Sequence, residues 1–135
     1  MGYYMEQFDQ DFKILAANKP AAFALLKQWE QKEIARNPSL GEYQPLGNAS
    51  TLEDALAELD WEAETDEDGN ITGMCFTGEK LHDEDIWLSA FAPAVEKGSK
   101  LMMSGEDGFH WCWYFNGISC AEYPGEIVFP DMPED

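Results

Sequence analysis

At 135 residues the chain has the length of one domain, and 44% hydrophobic residues with five Trp, five Tyr and eight Phe call for a packed core rather than disorder. Its 27 acidic and 8 basic residues leave a formal net charge of −19. A field of that sign repels nucleic acid and anionic membrane and favours rapid capture of basic proteins, so direct contact with nucleic acid or membrane is not expected.

Three cysteines, Cys75, Cys112 and Cys120, make an odd count, and residues 1–10 carry neither the basic n-region nor the apolar h-region of a secretory leader. No apolar run reaches the ~18–20 residues of a membrane span. Glu6 stands where N-myristoylation calls for Ser or Thr. A reduced, cytoplasmic setting is expected, with the cysteines as small buried hydrophobes.

In chain order, residues 2–14 mix Tyr3, Tyr4, Phe8 and Phe12 with acids and suit an opening strand. Asn18-Lys19-Pro20 then marks a helix start, and Ala22, Leu25, Leu26, Trp29 and Ile34 recur at helical spacing up to Arg36-Asn37-Pro38. This helix is expected to lie on the sheet. Residues 37–49, rich in Pro, Gly and Asn, read as a loop. Ser50-x-x-Glu53 is a capping box before a short helix carrying Leu52, Ala55, Leu56 and Leu59.

Residues 60–65 alternate strictly, and Asp68-Gly69 supplies a hairpin turn that sets Trp61 opposite Phe76 and Ala63 opposite Met74. Asp83 caps a further helix with Glu84 and Asp85 in its first turn and Ile86, Trp87, Leu88, Phe91 and Val95 as apolar stock. Pro93 interrupts it and Gly98 closes it.

Residues 101–129 hold three apolar runs separated by Gly105-Glu106-Asp107-Gly108 and Asn116-Gly117. A two-residue turn at Asn116-Gly117 pairs Phe115 with Ile118, Trp113 with Cys120 and Trp111 with Glu122. Trp111, Trp113, Phe115, Ile118 and Cys120 then share one core face, and Cys112 and Cys120 point to opposite faces. The tail, residues 130–135, is acidic. The order β-α-α-β-β-α-β-β-β describes one α+β domain with a mostly antiparallel sheet of about five to six strands and two to three helices packed on one face.

The most conspicuous chemical feature is an acidic ridge. Between Arg36 and Lys80 there is no basic residue and eleven acidic ones, among them Glu53, Asp54, Glu58, Asp60, Glu62, Glu64, Asp66, Glu67 and Asp68. Asp60, Glu62 and Glu64 would recur on one strand face at ~6.6–7 Å, a row of anions similar in spacing and sign to a nucleic-acid backbone. A solvated polar face is the plain alternative. Close unopposed like charges cost up to ~1 kcal/mol per pair, which favours a partner of opposite sign.

Asp66-Glu67-Asp68-Gly69-Asn70-Ile71 resembles an acidic calcium loop, but its Gly falls fourth rather than sixth and Thr77 occupies the twelfth position. A hairpin turn accounts for the same residues, and Gly105-Glu106-Asp107-Gly108 is likewise a turn with two acids. No metal or other cofactor is expected. The only histidines, His82 and His110, stand in no zinc or nucleophile motif. His110, Cys112 and Tyr114 share a strand face with Ser119 and Ala121, opposite the tryptophans. That face is the alternative site, for a small enzyme or ligand-binding domain with residues 37–49 as a lid.

The runs Leu52-Glu53-Asp54-Ala55-Leu56, Trp61-Glu62-Ala63-Glu64 and Phe76-Thr77-Gly78-Glu79-Lys80-Leu81, with Gly105-Glu106-Asp107-Gly108, Trp111-Cys112-Trp113 and Phe115-Asn116-Gly117, resemble small acidic proteins of bacterial genomes, phages and mobile elements. The resemblance implies a fold and a setting. It brings no activity or functional residue, but it makes an inhibitor of a nucleic-acid-handling enzyme, anti-CRISPR-like or immunity-protein-like, the expected kind of function. The leading expectation is an interaction protein whose ridge binds a basic protein surface.

Overall fold

A computed structural model describes residues 4–36, 45–78 and 84–125. Its elements are β1 (Met5–Asp11), a 3-10 turn (Ala16–Asn18), α1 (Lys19–Arg36), α2 (Leu52–Glu58), β2 (Trp61–Thr65), β3 (Ile71–Phe76), α3 (Glu84–Phe91), a second 3-10 turn (Ala92–Ala94), β4 (Lys100–Gly105), β5 (His110–Phe115) and β6 (Cys120–Gly125). The fold is α+β, with every strand pair antiparallel. The strands divide into a four-stranded sheet in the order β1-β4-β5-β6 and a two-stranded sheet of β2 and β3. No helix among the described residues is long and apolar enough to cross a membrane.

The alternation of β2 and β3 fixes their register as the sequence predicts. Trp61 lies opposite Phe76 and Ala63 opposite Met74. Trp61 is fully buried and meets Trp87 of α3 at 6.3 Å and Trp113 of β5 at 6.4 Å, both edge to face. Phe91 continues this aromatic series to Phe115 at 6.3 Å, and Phe115 to Phe12 at 5.5 Å. Offset and edge-on ring pairs add about 0.5–1.5 kcal/mol each beyond the area they bury. The core thus joins both sheets to α3 through aromatic side chains. Glu84, fully buried in the first turn of α3, accepts the Trp61 indole N–H at 3.2 Å, a partnership the helix-dipole reading of Glu84 does not reveal.

Four expectations are corrected. The helix α1, whose Ala22, Leu26 and Trp29 are buried, packs chiefly against α3 and α2 rather than on a sheet. The cap of α2 is Thr51, whose Oγ1 accepts the Asp54 N–H at 3.1 Å, one residue beyond the Ser50 of the expected capping box. The strand β2 begins at Trp61, since Asp60 has φ 70° and ends α2 in a left-handed conformation.

The fourth concerns the last hairpin. Phe115 pairs with Cys120, Trp113 with Glu122 and Trp111 with Pro124. The connection is therefore four residues, 116–119, held by Asn116 Oδ1, which accepts the N–H groups of Ile118 at 2.9 Å and Ser119 at 2.7 Å. Ile118 sits in this turn at 77% exposure and leaves the core face, whereas Trp111, Trp113 and Phe115 are buried as expected. Residues 81–83, with the predicted Asp83 cap, residues 37–44 of the predicted loop, and the tail 130–135 lie outside the described residues.

Candidate functional site

The nine carboxylates of the predicted ridge are brought to one region by α2, β2 and the β2–β3 turn, but the fold gives them different tasks. Lys19, at the start of α1, donates through Nζ to Glu53 Oε2 at 2.7 Å and to the Gly69 carbonyl oxygen at 2.9 Å. One ammonium group therefore ties the first turn of α2 to the tip of the β2–β3 hairpin. The expectation of an uncompensated segment is corrected at Glu53, because the compensating charge arrives from outside it. Partial burial pushes the Glu53 carboxyl up, but the Lys19 hydrogen bond, a bond from its own backbone and the Lys19 charge outweigh burial and hold it below its ordinary value.

Asp66 is used by the turn itself. Its Oδ1 accepts the N–H groups of Asp68 at 3.0 Å and Asn70 at 2.9 Å, and its Oδ2 accepts from Asn70 Nδ2 at 3.0 Å. The Asn70 side-chain bond is the main cause that holds the Asp66 carboxyl below its usual range, against desolvation and aided by the two amides and the Lys13 charge. Asn70 Oδ1 in turn accepts the Ala16 N–H at 2.8 Å, and Gly69 takes the positive φ of 82° that the turn requires. The acidic residues at 66–70 thus build a hairpin turn. Among the described residues no group of three or more His, Cys, Asp or Glu is placed to hold a metal ion. In the other acidic turn, Asp107 Oδ1 accepts the Phe109 N–H at 3.0 Å and Gly108 has φ 81°.

On β2, Glu62 and Glu64 face outward, opposite Cys75 and Gly73 of β3. Asp60 does not complete their row. Its left-handed backbone takes it out of the strand, and its side chain lies so close to Gly78 that a Cβ there would stand 2.9 Å from Asp60 Cβ. Glu64 folds back across Gly73, and its Oε1 accepts from Cys75 Sγ at 3.0 Å. That bond, with burial and the charges of Glu64 and Glu62, pushes the Cys75 thiol up to about 11. Asp54, Glu58, Glu62, Glu67 and Asp68 remain exposed, with no ion pair or hydrogen bond from their carboxylates among the described residues. These five are the part of the ridge free to meet a partner.

The alternative face is present. His110, Cys112 and Tyr114 are half-buried on the side of β5 away from the core. The His110 ring packs on Phe8 at 5.7 Å, and no hydrogen bond joins it to Cys112 among the described residues. Burial raises the Cys112 thiol, offset in part by Lys100 and the Leu101 backbone, so no activated thiolate stands there. Ser119, expected on this face, is in the turn instead. A cleft of ≈ 510 Å³ opens elsewhere, between Tyr4, Glu6, Gly78 and Glu106, and a groove of ≈ 370 Å³ runs between Trp29 and Lys32 of α1 and Ile86 and Ala90 of α3.

Sequence reasoning finds the acidic residues by their charge. It misses Lys19, whose only signal is its place at a helix start, 34 residues from Glu53. No protein-family model, curated protein or solved structure matches the chain. The functional reading therefore rests on the chemistry of the site.

Proposed function

We propose that the protein is a small acidic inhibitor that binds a basic protein surface through Asp54, Glu58, Glu62, Glu67 and Asp68, and competes there with nucleic acid. One observation carries this reading: the Lys19 clasp on Glu53 and Gly69 ties the acidic helix to the acidic turn, beside five carboxylates that are unpaired among the described residues. Preorganised charge loses little entropy on binding, and it accelerates encounter with a cationic partner. The net charge of −19 acts in the same direction. A cytoplasmic setting and a nucleic-acid-handling target belong to the same proposal. Mimicry here acts by occupancy and needs no cofactor.

The test is capture on the immobilised protein from a bacterial lysate at low salt, with a salt gradient for elution and mass spectrometry of the eluate. The captured protein should be basic, elute at moderate salt, and be displaced by a DNA or RNA duplex. Reversal of Glu62, Glu67 and Asp68 to Lys should abolish capture with an unchanged circular dichroism spectrum. Capture indifferent to salt, or retained by the reversed protein, refutes the proposal.

A further inference from the structure

The outer side of the four-stranded sheet carries an aromatic surface that the ridge does not use. Register places Met102 beside Cys112 and Cys112 beside Tyr123. Tyr114 meets Tyr123 edge to face at 6.2 Å, and Phe8 packs against His110. Phe8 is 60% exposed and Tyr123 54%. Together they form a continuous strip across β1, β4, β5 and β6.

The exposure of Phe8 is built into the strand. Pairing along β1 slips between Gln7, opposite Met103, and Asp9, opposite Met102, so Phe8 is the extra residue of a bulge. Bulges interrupt a ladder and re-aim side chains, and this one turns an aromatic ring outward onto His110. Contiguous apolar surface rimmed by polar residues is the kind that serves interaction sites.

Charge selects the occupant. Glu6, Asp9 and Asp11 are exposed along β1 at the edge of the strip, and Lys100, in register with both Asp11 and Tyr114, is the cation that the pairing places among them. Nucleic acid or a second copy of a chain at −19 would meet repulsion. A guanidinium group both stacks on aromatic faces and bonds carboxylates in a planar fork. We propose that this sheet face is a docking surface for an arginine-bearing segment of a partner protein. It lies on other elements than α2 and the β2–β3 turn, so it stands or falls apart from the ridge.

The probe is an acetylated, amidated twelve-residue peptide of alternating arginine and glycine, titrated into isotope-labelled full-length protein and followed by amide chemical shifts. The amides of Met102, Cys112, Tyr114 and Tyr123 should shift, and a citrulline version of the peptide should leave them in place. Phe8→Ser and Tyr123→Ser, both at exposed positions, should each weaken binding at least fivefold while the rest of the spectrum stays native. The protein with Glu62, Glu67 and Asp68 reversed should keep these shifts, which separates failure of the ridge from failure of the face. Shifts confined to residues 53–68, or binding unchanged in both serine variants, overturn the proposal. Sedimentation showing a dimer that Phe8→Ser dissolves would assign the face to a second copy and overturn it as well.

Discussion

The Gln7 side chain bonds the main chain of β3 on both sides of Cys75: its Nε2 donates to the Met74 carbonyl oxygen at 2.7 Å, and its Oε1 accepts the Phe76 N–H at 2.9 Å. Gln10 Oε1 accepts the Met74 N–H at 2.8 Å, and Ile14 bridges Ile71 through paired backbone bonds of 2.9 and 2.8 Å. The outer edge of β3 is thus satisfied by two glutamines and one bridge in place of a strand. Gln7 and Gln10 are three residues apart, and a regular strand would send them to opposite faces. The bulge at Phe8 resets the alternation, so both point to the side where β3 lies. The same irregularity joins the two sheets and exposes Phe8.

Replacing Gln7 by alanine should therefore cost more than a half-buried polar residue usually does. It leaves the Met74 carbonyl and the Phe76 N–H without their partners, at about 1–3 kcal/mol for each buried group. The expected loss is on the order of 2–4 kcal/mol by urea unfolding, and Gln10→Ala, which frees a single N–H, should lose less. A loss within about 0.5 kcal/mol for Gln7→Ala, typical of a surface site, would show that water replaces the clasp.

The clasp also marks the limit of what the sequence discloses. Two facing strands that alternate in phase leave one sensible register, which is why the Trp61–Phe76 pairing was legible. Inward glutamines read like solvent-facing ones, and a bulge has no letter of its own. The ridge followed the same rule. Its acids were plain in the composition, but the left-handed backbone of Asp60 and the long-range pairing of Lys19 with Glu53 depend on tertiary contacts. The helix α1 shows which face is apolar and not what covers it.

The displaced hairpin gives a direct check on register. A slip of two residues preserves every side-chain face, so alternation cannot separate the two-residue turn from the four-residue turn observed. The two registers differ at Ile118. With that residue in an exposed turn, Ile118→Thr should change stability by less than about 0.5 kcal/mol, whereas Phe115→Ala, in a fully buried site, should cost about 3–5 kcal/mol. A loss above about 1.5 kcal/mol for Ile118→Thr, in the range of a buried side chain, would restore the core position.

Acid should loosen the acidic hairpin first. Glu53 and Asp66 are both held below their ordinary values, so each contributes stability above the unfolded pKa of about 4 and loses it as pH falls through the lower folded value. Lys19→Met removes the partner of Glu53. The variant should be less stable than the parent at neutral pH, and the gap should narrow as pH drops below about 4 and Glu53 protonates. Unfolding curves from pH 7 to pH 2 measure it. A gap that widens on acidification contradicts the assigned sign.

The thiols should be unreactive near neutral pH, for different reasons. Burial, then the neighbouring Cys112, Asp85 and Glu122, push Cys120 up to about 12, and little short of unfolding relieves that. The hydrogen bond to Glu64, ahead of burial and of the Glu64 and Glu62 charges, takes Cys75 up to about 11. Since only the thiolate alkylates, Cys75 should react with iodoacetamide at pH 8 roughly a hundredfold more slowly than a free cysteine, and Cys120 more slowly still. Glu64→Ala removes both the acceptor and the nearest charge, so it should accelerate Cys75 by about tenfold or more and leave Cys120 unchanged. Mass-spectrometric labelling rates resolve the two sites. Equal rates at Cys75 in the parent and the variant would mean that the Glu64 carboxylate does not sit on the thiol, and that it stands free with Glu62 in the acidic row.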